Sequence, residues 1–147
     1  DVNLAQRGVL LEKVINAFGG DLKGKTFAIW GLAFKPRTDD MREAPSIPVI
    51  EGILAAGGRV RAYDRAAKET AREVFGDRIV YCEDEYAALD GVDALLLLTE
   101  WAEFRMPNWN EVKDRMSGKH IFDGRNIYNP TYVTEQGFVY EGIGRKL

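Results

Sequence analysis

The fold is decided by Thr26-Phe27-Ala28-Ile29-Trp30 and the stretch after it, Gly31-Leu32-Ala33-Phe34-Lys35-Pro36-Arg37-Thr38-Asp39-Asp40-Met41-Arg42-Glu43-Ala44-Pro45-Ser46. The first five residues are apolar on both faces of an extended chain, as a central parallel strand requires. A helix is expected from Ile47 to Ala56. Ser46 suits its N-cap, Pro48 fits the first turn, and Gly57-Gly58 ends it. The link between strand and helix carries Lys35, Arg37, Asp39, Asp40, Arg42 and Glu43. It is roughly twice the usual connection of about 2–6 residues. Long loops at the carboxyl end of a parallel strand are where open α/β sheets bind ligands.

The same alternation continues along the chain. Upstream, residues 4–18 read as a helix, with Val2, Leu4, Leu11, Val14, Ile15 and Phe18 at helical spacing and Gly19-Gly20 as its stop. Downstream, strands are expected at Arg59–Tyr63, Ile79–Tyr81, Asp93–Thr99, His120–Phe122 and Gly137–Tyr140. Helices are expected at Ala66–Phe75, Asp84–Leu89, Trp109–Met116 and Tyr132–Glu135, with a helical turn from Glu100 to Phe104. Strands that alternate with helices predict a doubly wound parallel sheet with right-handed crossovers. Six strands match a Rossmann-like α/β order of 3-2-1-4-5-6, preceded by an N-terminal helix. One boundary is expected near Gly19–Lys25. The first helix then either packs on the α/β unit or is the end of a longer helix from a region outside this chain. Asp1, in place of an initiator Met, fits the second case.

Bulk composition narrows the function. At 147 residues with net charge −3, one compact domain is expected, without the global basic field that favours nucleic acid. An anionic ligand must then be held by a few placed cations. A single cysteine and a single histidine, Cys82 and His120, argue against a disulfide and a zinc centre. No apolar run approaches the ~20 residues of a membrane span. A soluble, cytoplasmic protein is expected.

Within the loop, Lys35, Arg37 and Arg42 can supply the donors and positive charge a pyrophosphate needs. Asp39 and Asp40 can orient those cations or accept from ligand hydroxyls. Gly31 is a fragment of a dinucleotide fingerprint and is equally explained by a tight turn. Asp64 ends the second strand, where such folds place a ribose acceptor; a capping or loop role is the other reading. Asp123-Gly124-Arg125-Asn126 closes the fifth strand on the same sheet edge, which puts Arg125 near the same crevice. Trp101 and Phe104 have two readings, base stacking or burial. Cys82 is read as structural.

Residues 31–46 resemble the signature of the UDP-glucose/GDP-mannose dehydrogenase family. Ala62-Tyr63-Asp64, Thr99-Glu100-Trp101-Ala102-Glu103-Phe104-Arg105 and Phe122-Asp123-Gly124-Arg125-Asn126 agree with it. The resemblance spans essentially the whole chain and implies the family's C-terminal UDP-binding, Rossmann-like domain over residues 21–147. Residues 1–20 resemble the end of the central helix through which these enzymes dimerise.

The resemblance implies substrate contacts from Phe34, Lys35, Thr38, Asp39, Asp40, Met41 and Arg125, and an NAD-side contact from Arg42. It implies a homodimeric enzyme that oxidises UDP-glucose to UDP-glucuronate with two NAD, mainly bound by another domain, through a catalytic cysteine in an upstream Gly-rich motif. Cys82 lies in no such motif, so no residue here inherits the catalytic role and the chain alone is expected to be inactive. A free-standing nucleotide-binding module, and a related GDP-mannose or UDP-N-acetylsugar dehydrogenase, are the alternatives. The Thr38–Glu43 run favours UDP-glucose.

Overall fold

A computed structural model describes residues 2–33, 44 and 46–142, with residues 2–8 described as backbone only. Its centre is a six-stranded sheet: β1 (Thr26–Trp30), β2 (Arg59–Tyr63), β3 (Val80–Tyr81), β4 (Ala94–Leu97), β5 (His120–Asp123) and β6 (Val139–Gly142). The order is β3-β2-β1-β4-β5-β6 and every pairing is parallel. This is the order expected from the sequence. The reversal on either side of β1 leaves a crevice at the carboxyl edge, where a doubly wound sheet takes its ligand. Register aligns that edge: Trp30 pairs with Tyr63 and Leu97, Leu97 with Asp123, and Asp123 with Gly142.

Helices cover both faces. On one lie α1 (Val2–Ala17), α2 (Ser46–Ala55) and α3 (Lys68–Phe75). Their core joins Leu10, Val14, Val49, Ile50, Ile53 and Phe75 to Phe27 and Ile29 of β1. On the other lie α4 (Ala102–Arg105), α5 (Trp109–Arg115) and α6 (Pro130–Glu135). There Phe104, Val112 and Val133 pack on Ala28, Trp30, Leu95 and Ile121. The alternate residues of β1 thus feed two separate cores, which is why its sequence reads as one apolar run. Asn108 caps α5 by accepting from the Asn110 and Glu111 amides, and Asn129 caps α6 by accepting from Tyr132.

Several local expectations shift. The expected 84–89 helix is a 3₁₀ turn, Ala87–Leu89. β4 is shorter than expected because Leu98 and Thr99 have already turned into the loop. Ser46 opens α2, and its hydroxyl donates to the Leu32 carbonyl (2.6 Å), so this side chain ties the helix start back to the β1 loop. In the described part of α1, Leu10 and Val14 are buried in the same core as the sheet. His120 stacks on Phe122 and tilts against Phe18, and Cys82 is buried, its thiol pKa pushed up chiefly by desolvation. Both are packing residues.

Candidate functional site

The crevice is built from the first residues past each strand. Gly31 leaves β1 at φ +100°, where an L side chain is strained, and its amide donates to the Tyr63 carbonyl. A Cβ here would stand 2.6 Å from the Thr99 backbone nitrogen, so β1 and the β4 loop approach at a distance only glycine allows. Gly31 therefore serves the turn and this close approach together.

Leu32 and Ala33 are held on all four backbone polar groups. Their amides donate to Asp64 Oδ2 at 2.7 and 3.0 Å. Their carbonyls accept from the hydroxyls of Ser46 and Thr99. Asp64 Oδ1 accepts from the Ala66 and Ala67 amides, and the Trp101 indole N–H reaches Oδ2 at 3.4 Å. Asp64 is buried, with its acceptor directions filled from inside the protein. Of the two readings of Asp64, the structural one holds: it is a junction of three loops rather than a ribose acceptor. In dinucleotide-binding folds the amides after the first strand face the pyrophosphate. Here those two amides are engaged by Asp64 and are not free to face an anion.

Segment 99–103 spans the edge. Thr99 bonds to the β1 loop and Trp101 to Asp64. Glu103 accepts from Tyr63 Oη (3.0 Å) and Arg65 (3.3 Å). Burial first, and then the Glu103 carboxylate, push the Tyr63 phenol far above its usual pKa. Glu100 pairs with Arg105 at 3.2 Å and with Arg125 at 3.6 Å. Trp101 is buried, and Phe104 stacks on Trp30 at 5.0 Å, so both aromatics serve the core.

Arg125 stands at the crevice as expected. Asp123, fully buried, accepts its amide through Oδ1, and through Oδ2 accepts from the Tyr128 amide and the Tyr140 hydroxyl. The backbone beneath Arg125 is therefore fixed while its side chain remains part-exposed. Phe34, Lys35, Thr38, Asp39, Asp40, Met41 and Arg42 lie outside the described residues, as do Arg37 and Glu43. What is described is the rim they leave from, Leu32-Ala33, and return to, Ser46. Sequence reading missed Glu100; its signal is a charged residue three positions past the carboxyl end of the central β4, between two buried neighbours. A cavity of about 370 Å³ opens nearby in the α4–α6 layer, between Pro107, Trp109, Tyr128 and Tyr132, with Arg105 on its lining.

The family model for the UDP-glucose/GDP-mannose dehydrogenase family, UDP binding domain, matches residues 28–130. A UDP-glucose 6-dehydrogenase of Pseudomonas aeruginosa is 43% identical over 97% of this chain and 33% of its own length. One from Rhizobium meliloti is 41% identical, with 98% of the chain and 33% of that protein covered. The chain thus spans about a third of the length of these curated relatives. Among solved structures, a UDP-glucose dehydrogenase from Pyrobaculum islandicum superimposes with TM-score 0.82 at 32% identity, over 99% of this chain and 31% of that one. A UDP-D-ManNAc dehydrogenase from Pyrococcus horikoshii gives TM-score 0.72 at 29% identity, over 96% and 30%.

Proposed function

The chain belongs to the UDP-glucose/GDP-mannose dehydrogenase family as its UDP binding domain, and from that membership we propose that it holds the UDP moiety of UDP-glucose for an NAD-dependent 6-dehydrogenase. The observation that carries this is the closed turn after β1. With the Leu32 and Ala33 amides on Asp64, the diphosphate is met by cationic side chains. Arg125 provides one from the β5 end, and Lys35, with the loop through Met41, provides the others. Phe34, Thr38, Asp39 and Asp40 then contact the nucleotide sugar, and Arg42 reaches toward NAD.

The same closed turn argues that NAD is bound mainly elsewhere, on a domain outside this chain. Residues 21–147 are the UDP-binding unit and residues 1–20 the end of a central dimerisation helix, in a cytoplasmic homodimer. No helix among the described residues is long and apolar enough to cross a membrane. Cys82, buried and with its thiol pKa raised, is unsuited to form a thiolate nucleophile, so the chain alone is catalytically silent. One observation favours a second reading, a free-standing nucleotide-binding module: the described face of α1 finds partners within this chain, at Leu10 and Val14.

Calorimetric titration of the chain with UDP, UDP-glucose, GDP, a UDP-N-acetylsugar and NAD tests the reading. Uridine ligands are expected to bind, GDP and NAD not, and UDP-glucose with NAD to yield no NADH. Lys35→Ala should weaken UDP binding more than Arg37→Ala, because Lys35 lies nearer the strand end. Preference for GDP, or NADH production by pure chain, overturns it.

A further inference from the structure

Among the described residues of the rim, Glu100 touches two guanidinium groups. Its Oε2 lies 3.2 Å from an Arg105 Nη, and its Oε1 lies 3.6 Å from Arg125 Nε. The backbone on both sides of this pair is anchored. Thr99 and Trp101, which flank Glu100, are buried and tied to Ala33 and Asp64. Beneath Arg125, Asp123 is fully buried and accepts the Arg125 amide, and Asn126 turns the chain at φ 56°. An exposed ion pair is usually weak because two long side chains must be ordered at both ends. Here the anchored backbone fixes where both side chains start, while the ordering of the side chains themselves still has to be offset.

The face of the guanidinium that is engaged matters. Glu100 approaches Arg125 through Nε. With Nε turned to Glu100, the Nη pair is the edge of the guanidinium left to make end-on bidentate contact with a phosphate. Arg105, on the opposite oxygen, keeps the three-residue group at net charge +1, so the carboxylate does not cancel the attraction for an anion. We infer that Glu100 is a positioning residue: it holds Arg125 side-on through Nε so that the Nη pair faces the diphosphate of the nucleotide sugar. The aim toward a diphosphate rests on the UDP reading above; the Glu100–Arg125 hold does not.

Two measurements on the 147-residue chain separate them. The first is hydrogen exchange of the arginine Nε–H groups by NMR without ligand, the Arg125 signal being identified by its loss in Arg125→Lys. Glu100→Gln should speed Arg125 Nε–H exchange at least about threefold and leave Arg115 Nε–H, paired with Glu111, unchanged. The second is UDP titration. Glu100→Gln should weaken binding about fivefold, with Glu100→Asp intermediate, and Glu100→Gln/Arg125→Lys no weaker than Arg125→Lys alone. Unchanged Nε–H exchange, tighter UDP binding by Glu100→Gln, or additive losses in the double variant overturn the positioning role. If UDP fails to bind the unmodified chain, the nucleotide reading falls and the aiming role with it, while the exchange rates still decide the hold.

Discussion

Four backbone amides from two separate segments converge on one carboxylate at the carboxyl edge of the sheet. Leu32 and Ala33 come from the β1 loop, Ala66 and Ala67 from the approach to α3, and all four donate to Asp64. A buried amide with no acceptor costs about 1–3 kcal/mol, and no single replacement side chain serves four. Asp64→Ala should therefore lower unfolding free energy by at least about 3 kcal/mol, measured by urea denaturation. Asp64→Asn keeps the shape and one oxygen but turns an NH₂ toward amides that are themselves donors. With two amides left facing a donor, its expected loss is about 2–3 kcal/mol. A loss below about 1 kcal/mol for the alanine variant would mean that the loops find other acceptors. The functional corollary belongs to the same atom. Because Asp64 holds these amides, Leu32 and Ala33 are not free to face an anion at this edge, and under the proposed function that contact falls to side chains such as Arg125.

Strand and helix identities were legible because each burial pattern leaves a periodic mark. β1 and β4 are buried on both faces and read as apolar runs, whereas the Asn108 and Asn129 caps that start α5 and α6 came from the structure. The contacts that make the site were not legible, since they join positions far apart in the chain. Thr99 reaches Ala33 across 66 residues and Asp64 reaches Leu32 across 32. Ser46 shows the limit well: a local rule assigns it to capping, and the fold uses it to tie α2 to the β1 loop. Of the candidate site, the placement of Arg125 was readable from its position just past a parallel strand, whereas the Glu100 pairing needed the fold. Between elements, Leu11 of α1 seats tightly against Gly52 of α2, where an added Cβ would collide with the leucine side chain. Gly52→Leu should lift α1 away at an overall cost of about 1–3 kcal/mol. Amide hydrogen exchange should then rise throughout residues 9–17 and stay slow in β1 and β4; equal rises in helix and sheet would show that α1 is inseparable from the core.

At the scale of the molecule, one sheet separates two cores, and the layer of α4 to α6 has a titratable group sealed inside it. Tyr128 is buried, donates its hydroxyl to the Phe104 carbonyl, and has its amide on Asp123. Desolvation, reinforced by the Asp123 carboxylate, pushes its phenol well above the usual value. The unfolded chain ionises tyrosine near pH 10, while the folded chain keeps Tyr128 protonated. The folded state then binds more protons than the unfolded one, so stability falls as pH rises. This contribution is fully present below about pH 10 and declines above it by about 1.4 kcal/mol per pH unit for one fully buried phenol. Tyr63, raised by burial and Glu103 but part-exposed, adds a smaller slope of the same sign. Tyr128→Phe removes the ionisable group together with the hydrogen bond to the Phe104 carbonyl. It should be less stable than the unmodified chain at neutral pH by about 1 kcal/mol. That gap should narrow and then reverse as urea midpoints are followed from about pH 9 to pH 11, because only the unmodified chain has a phenol at this position to lose. Lysines and the other tyrosines are common to both proteins and cancel in the difference. A gap that stays constant over that range would place Tyr128 in contact with water, and with it the inner wall shared by α4, α6 and β5.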